Sequence, residues 1–130
     1  MSLVVDASVV AEVLLGTERG QAASQAFGEH QLIAPDLLAA EVLSVVRGWN
    51  LGGHLTDEEA LRAIHEFAYL GVLQIDAMPL LSEAFALRHN LSAYDALYVA
   101  LARSVGCQLL TLDARLAAVA PDCAVIPTVQ

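Results

Sequence analysis

Four acidic residues in this chain stand where an acid is costly to keep. Asp6 and Asp113 each close a short apolar run, "SLVVD" and "QLLTLD", and Asp95 opens the apolar stretch "NLSAYDALYVALARS" beside Tyr94. Glu41 lies within "LLAAEVLSVV", where helical spacing sets Leu37, Leu38, Val42 and Val45 on nearly the same side, and no basic residue stands three or four positions away to pair with it. A buried, unpaired carboxylate is destabilising unless it is protonated or bound to a cation. Were these acids to converge, each pair about 5 Å apart would repel by roughly 3 kcal/mol at an effective dielectric near 20. A divalent cation removes that conflict, and oxygen-only ligands suit magnesium or manganese rather than zinc. Water bound to such a cation can attack a phosphodiester in line while the cation neutralises the phosphate oxygens.

Each acid also has a purely structural reading. Asp6, Asp76 and Asp113 sit between a strand and a helix, where aspartate is a good N-cap. Ser92 followed three residues later by Asp95 fits the signature in which a hydroxyl and an acid cap each other's backbone amides. Glu41 could reach solvent along a helix edge.

Charge narrows the chemistry. Fifteen acidic residues against six basic ones give a net charge of -9, which argues against a passive nucleic-acid binder but not against an enzyme that meets phosphate through a bound cation. The basic residues are Arg19, Arg47, Arg62, Arg88, Arg103 and Arg115, with no lysine among them. That excludes the usual phosphate-binding P-loop, Schiff-base chemistry, and a receiver domain that pairs its aspartate with a lysine. His30, His54, His65 and His89 are scattered without metal-ligand spacing and read as surface residues, and Cys107 and Cys123 read as small buried hydrophobes.

The elements that must position the acids follow from the apolar pattern. A chain of 130 residues that is 57% hydrophobic has material for one core, so residues 1–130 form a single domain. Apolar runs stop well short of the roughly 18 residues of a membrane span, and "MSLVVD" lacks the basic start of a signal peptide, which leads us to expect a cytoplasmic protein with no membrane partner. Strands are expected over 2–5, 31–35, 72–76, 108–113 and 123–127. Helices are expected over 7–15, around 18–27, over 36–49, from Thr56 to Gly71, over "LLSEAFALRHN", from Ser92 to Gly106, and over "ARLAAVA". Strands alternating with helices predict an α/β fold, a mostly parallel sheet with helices on both faces, and a ligand site beyond the carboxyl ends of the strands. The helix "ASVVAEVLL" is apolar enough to suit either a partner-covered face or core burial.

"VVDASV", a glutamate in the helix after the second strand, "LSAYDALYVALA" and "LLTLDARL" occur in that order over essentially the whole chain. This arrangement resembles the PIN-domain ribonucleases, and within them the VapC-type toxins of bacterial toxin-antitoxin pairs. The resemblance implies a five-stranded parallel sheet of order 3-2-1-4-5 and an acidic cluster of Asp6, Glu41, Asp95 and Asp113 holding one or two magnesium or manganese ions. Asp6 and Asp95 would be the principal ligands, and one acid would orient or deprotonate the attacking water. Ser8 and Thr111 match hydroxyl positions found beside that cluster, placed to bond a ligand acid or a substrate phosphate. Arg88 and Arg115 lie nearest the acid-bearing segments and are candidate phosphate contacts, whereas Asp76 has no counterpart and returns to a cap. Tyr94 and Tyr98 are expected to pack against neighbouring elements rather than stack on RNA bases. The resemblance further implies endonucleolytic cleavage of RNA to a 5'-phosphate and 3'-hydroxyl, a homodimer, and a VapB-type antitoxin that obstructs the acidic site.

Two other readings compete. A phosphohydrolase of the haloacid dehalogenase type would use Asp6 as a nucleophile, but it wants a second aspartate where Ser8 stands, and a lysine that this chain lacks. A protein-binding module that kept the fold without the chemistry would be indifferent to loss of Asp6 or Asp95.

Overall fold

The structure is a computed structural model and describes residues 1–129. Strand β1 (Ser2–Val5) is central, with Val4 and Val5 wholly shielded from solvent, as expected for a β-branched run covered on both faces. It pairs with β2 (Gln31–Pro35) on one side and β4 (Leu109–Leu110) on the other. Strands β3 (Leu73–Ile75) and β5 (Ala124–Val125) complete an all-parallel sheet of order β3-β2-β1-β4-β5, the order implied by the resemblance. The chain runs outward from β1 to β3, then returns to the other side of β1. The carboxyl ends of β1 and β4 therefore flank the point where strand order reverses, and a crevice forms there.

The described residues form seven helices: α1 (Ala7–Leu15), α2 (Glu18–Phe27), α3 (Leu38–Leu51), α4 (Asp57–Phe67), α5 (Leu81–Ala86), α6 (Ala93–Val105) and α7 (Ala114–Val119). Helix α1 packs on α2, α3 and α4, and it buries Ala7, Val9, Val10 and Ala11. Core burial therefore accounts for its apolar sequence. Helix α6 lies against β1, β2 and β4 and buries Ala96, Tyr98, Val99, Ala100, Leu101 and Ala102.

Some boundaries differ from expectation for visible reasons. Ladder pairing of β4 and β5 is confined to two residues each, because the Leu112 amide turns to the Ser8 hydroxyl instead of continuing along the sheet. The segment expected as one helix over "LLSEAFALRHN" begins as a 3-10 turn at Met78–Leu80, which contains Pro79, and its α-helical part ends at Ala86. Strand β3 is an edge strand, so Leu73 and Gln74 are exposed rather than buried. Asp76 is the expected cap, accepting from the Met78 amide at 3.0 Å. All four histidines are exposed, and Cys107 and Cys123 are free thiols, half-buried and buried.

The α1–α2 hairpin is the tightest approach. Gly16, at φ 69°, ends α1 in the left-handed conformation, and Thr17 caps α2 by accepting from the Gly20 amide. A Cβ built on Gly20 would lie 2.1 Å from the Glu12 carbonyl oxygen, which is backbone and cannot rotate aside. Gly20→Ala should therefore lower stability by about 1–3 kcal/mol despite its better helix propensity, read as a lower urea midpoint.

Candidate active site

Asp6 stands at the end of β1, next to the sheet's reversal point, and is the N-cap of α1. Only 7% of its surface is exposed, yet each carboxylate oxygen is satisfied. Its Oδ1 accepts from the Ser8 hydroxyl at 2.6 Å and the Val9 amide at 3.1 Å, and its Oδ2 accepts from the Thr111 hydroxyl at 2.5 Å. Both hydroxyls are themselves fixed: Ser8 Oγ accepts from the Leu112 amide at 3.0 Å, and Thr111 Oγ accepts from the Asp113 amide at 3.1 Å. Of the two roles open to Ser8 and Thr111, the structure shows bonding to the acid.

Glu41 reaches this crevice from α3. It is half-buried, and its Oε1 accepts from the Tyr98 hydroxyl at 2.7 Å, a bond spanning 57 residues. Tyr98 is 2% exposed, so its phenol required a partner, and the acid supplies one. Burial, reinforced by Glu41, pushes the Tyr98 phenol far above its ordinary range, so it remains a donor. Sequence reasoning assigned Tyr98 to packing alone. The signal available was a tyrosine one helical turn after Asp95 in an otherwise apolar helix, whose hydroxyl cannot be buried free.

Asp95 lies in the first turn of α6. Its amide donates to Ser92 Oγ at 3.1 Å, but the reciprocal bond from its carboxylate is not made, in contrast to Thr56 and Glu59 at the start of α4, which form the full box. The carboxylate is free of capping duty and instead faces Arg115, 3.7 Å away. Asp113 does cap, its Oδ1 accepting from the amides of Arg115 and Leu116.

Three of the acids share one electrostatic neighbourhood. Burial raises the Asp6 carboxyl above its usual range against the pull of its hydrogen bonds, and the charge of Asp95 adds to the rise. Burial likewise raises Glu41, with Asp95 and Asp6 both contributing. Asp113 is not among the charges acting on either. Among the described residues, no three His, Cys, Asp or Glu side chains already stand where they could hold one ion together. Each of the three acids faces its own donor: Asp6 the Ser8 and Thr111 hydroxyls, Glu41 the Tyr98 hydroxyl, and Asp95 the Arg115 guanidinium. The donor chemistry is that of a hard divalent cation: carboxylate oxygens only, with histidine and thiol groups elsewhere.

The arginines divide. Arg115 is at the site. Arg88 is not: its guanidinium lies over the Phe85 ring, 4.4 Å from the centroid, and lines a separate apolar cavity of about 470 Å³ with Leu81, Leu91 and Leu97. Arg19, which sequence reasoning passed over, reaches the site's rim by donating to the Leu112 carbonyl at 3.0 Å.

The raised Asp6 carboxyl fixes the sign of a pH effect. Between its unfolded and folded values the native state holds a proton that the unfolded chain has released, so this group's contribution to stability is greatest at low pH and is lost as pH rises through the folded value. Asp6→Asn keeps an oxygen for the Val9 amide and removes the buried charge. It should melt higher than the parent at pH 7 without added divalent cation, with the gap narrowing towards pH 4, as followed by circular dichroism.

Comparison with known proteins identifies the family and the fold. A family model described as the PIN domain matches residues 3–121. Ribonuclease VapC3 of Pyrobaculum aerophilum is 38% identical over 122 residues, covering 90% of this chain and 93% of the relative. Ribonuclease VapC1 of Mycobacterium tuberculosis is 41% identical over 119 residues, 88% of each. In fold, a crystal structure from Pyrobaculum aerophilum superposes with a TM-score of 0.71 at 22% identity, covering 97% of this chain and 89% of the other. Mycobacterium tuberculosis VapC20, described as a sarcin-ricin loop cleaving toxin, superposes with a TM-score of 0.65 at 21% identity, covering 90% and 94%. With the family matched over most of its length and relatives named VapC on both sides of the comparison, this chain belongs to the PIN-domain family.

Proposed function

We propose that the chain is an endoribonuclease that hydrolyses RNA with magnesium or manganese, and that it is the toxin of a toxin-antitoxin pair. The observation that carries the reading is the buried carboxylate of Asp6, at the carboxyl end of the central strand and within electrostatic reach of Glu41 and Asp95, in a chain whose PIN relatives are named ribonucleases. Asp6, Glu41 and Asp95 would hold the cation, with Asp113 as a fourth, outer acid. When bound, the cation supplies Lewis acidity toward the phosphate oxygens and lowers the pKa of its water.

The chain's own groups do the rest. Ser8, Thr111 and the Val9 amide lock Asp6 in one rotamer, so its orientation costs nothing at the moment of reaction. The Tyr98 hydroxyl occupies Glu41 Oε1 and leaves Oε2 for the attacking water, and a carboxyl raised by burial is a better proton acceptor than an ordinary one. Arg115, two-thirds exposed and tied to Asp95 only at 3.7 Å, can exchange that acid for a substrate phosphate. Exposed Leu43, Leu61 and Phe85 leave apolar surface for protein contacts, in keeping with a VapB-type antitoxin and a homodimer.

The test is incubation of the purified chain with total RNA in manganese, magnesium or EDTA, with the new ends mapped. Cleavage leaving 5'-phosphate and 3'-hydroxyl ends, abolished by EDTA and by Asp95→Asn, supports the reading. Cleavage that survives both, or RNA left intact in either metal, overturns it. Tyr98→Phe, which frees Glu41 Oε1 without altering an acid, should slow cleavage about 10- to 100-fold in a fixed-time assay.

A further inference from the structure

From the geometry of α3 and α6 we infer that Tyr94 is the platform of a base-binding subsite, on which one unpaired base of the RNA stacks beside the scissile phosphate. This inference rests on the ribonuclease reading above and names how that site holds its substrate.

Tyr94 is the residue before Asp95, and the two point to different fates. Tyr98, one turn further along the helix, is buried against Glu41, whereas Tyr94 is 62% exposed. The ring is thus far more open than the packing against neighbouring elements that the sequence suggested. It borders a cavity of about 360 Å³ whose other walls are Ala7, Leu37, Ala40 and Val45, with Ser44 and Glu41 as the polar groups. The cavity is thus apolar on its faces, carries a hydroxyl at its edge, and shares Glu41 with the acid site, while Ala7 directly follows Asp6. A flat, weakly polar group joined to a phosphate fits that combination: planar faces for the ring and the aliphatic wall, and edge atoms for Ser44.

The charge distribution gives a second, independent reason. Proteins that bind single strands combine a positive groove with stacking platforms. Here the positive half is thin, with six arginines against fifteen acids. Arg103 is bound in two hydrogen bonds to Asp122, Arg88 lies on Phe85, Arg19 is engaged by Glu12 and the Leu112 carbonyl, and Arg47 and Arg62 are exposed on α3 and α4. Arg115 is the cation that faces the acids. With a net charge of -9, affinity for RNA cannot come chiefly from phosphate neutralisation, and an exposed aromatic ring at the site is the group able to replace it.

The experiment is fluorescence anisotropy with labelled ten-nucleotide oligo(U) and oligo(A) RNA in EDTA, where no cleavage occurs, comparing the full chain with Tyr94→Leu and Tyr94→Phe. Circular dichroism melts check that each variant is folded, and the exposure of the ring makes both tolerable. Loss of one stacked base in Tyr94→Leu should weaken binding about 5- to 150-fold, with Tyr94→Phe staying near the parent. The slope of log K against log salt should lie between about 0 and -1, since each neutralised phosphate of a single strand contributes about -0.7. If the parent cleaves RNA in manganese but Tyr94→Leu binds as tightly as the parent, or if the slope reaches several units, the subsite is refuted and the ribonuclease reading stands. If the parent neither binds nor cleaves RNA, that reading falls and the subsite with it.

Discussion

Everything in this molecule that bears on chemistry depends on keeping one negative charge inside the sheet. Asp6 closes the central strand, and burial alone would drive its carboxyl towards the neutral form. Three donors oppose that: two hydroxyls and the Val9 amide in the first turn of the helix it caps. The donors come from two distant parts of the chain, because Thr111 lies at the end of β4 and β4 is the neighbour of β1. Strand order is thereby a condition for the acid's survival. A β1 flanked by any other strand would leave Asp6 Oδ2 unsatisfied in an apolar interior.

The same bonds shape the backbone around the site. Because Ser8 accepts from the Leu112 amide and Thr111 accepts from the Asp113 amide, the chain leaves the sheet after β4 early and turns directly into α7. That turn sets Arg115 at the mouth of the crevice, within reach of Asp95. On the other side, α6 must be small and apolar to lie across three strands, and two of its polar residues face the crevice: Asp95 in its first turn and Tyr98 one turn later. Tyr98 in turn holds Glu41 from α3. A network of hydroxyls therefore orients two acids, and the third is left comparatively free.

Much of the architecture was legible because it rests on local rules. The strand ending at Asp6, the helix stops at Gly16, Gly71 and Gly106, and the parallel sheet follow from apolar periodicity and breaker residues. The half-burial of Glu41 was also readable, since leucines and valines surround it at helical spacing. The ends of β4 and the shape of α5 were not, because they answer to a side-chain bond from Ser8 and to a turn built around Pro79. Nor was the division of the tyrosines. Tyr94 and Tyr98 stand four apart on one helix, and only the packing of α6 on the sheet decides that one is covered and the other open.

The amino-acid sequence by itself determined which residues carry charge into apolar surroundings, how few arginines could answer them, and which elements would present them, because these follow from composition and period. Tertiary structure alone decided who holds whom. It paired Glu41 with Tyr98 and Asp6 with Thr111, freed Asp95 from its cap to face Arg115, and drew Arg88 away onto Phe85. These choices depend on distances across 57 and 105 residues of chain, set by strand order and helix packing, and no local pattern encodes them.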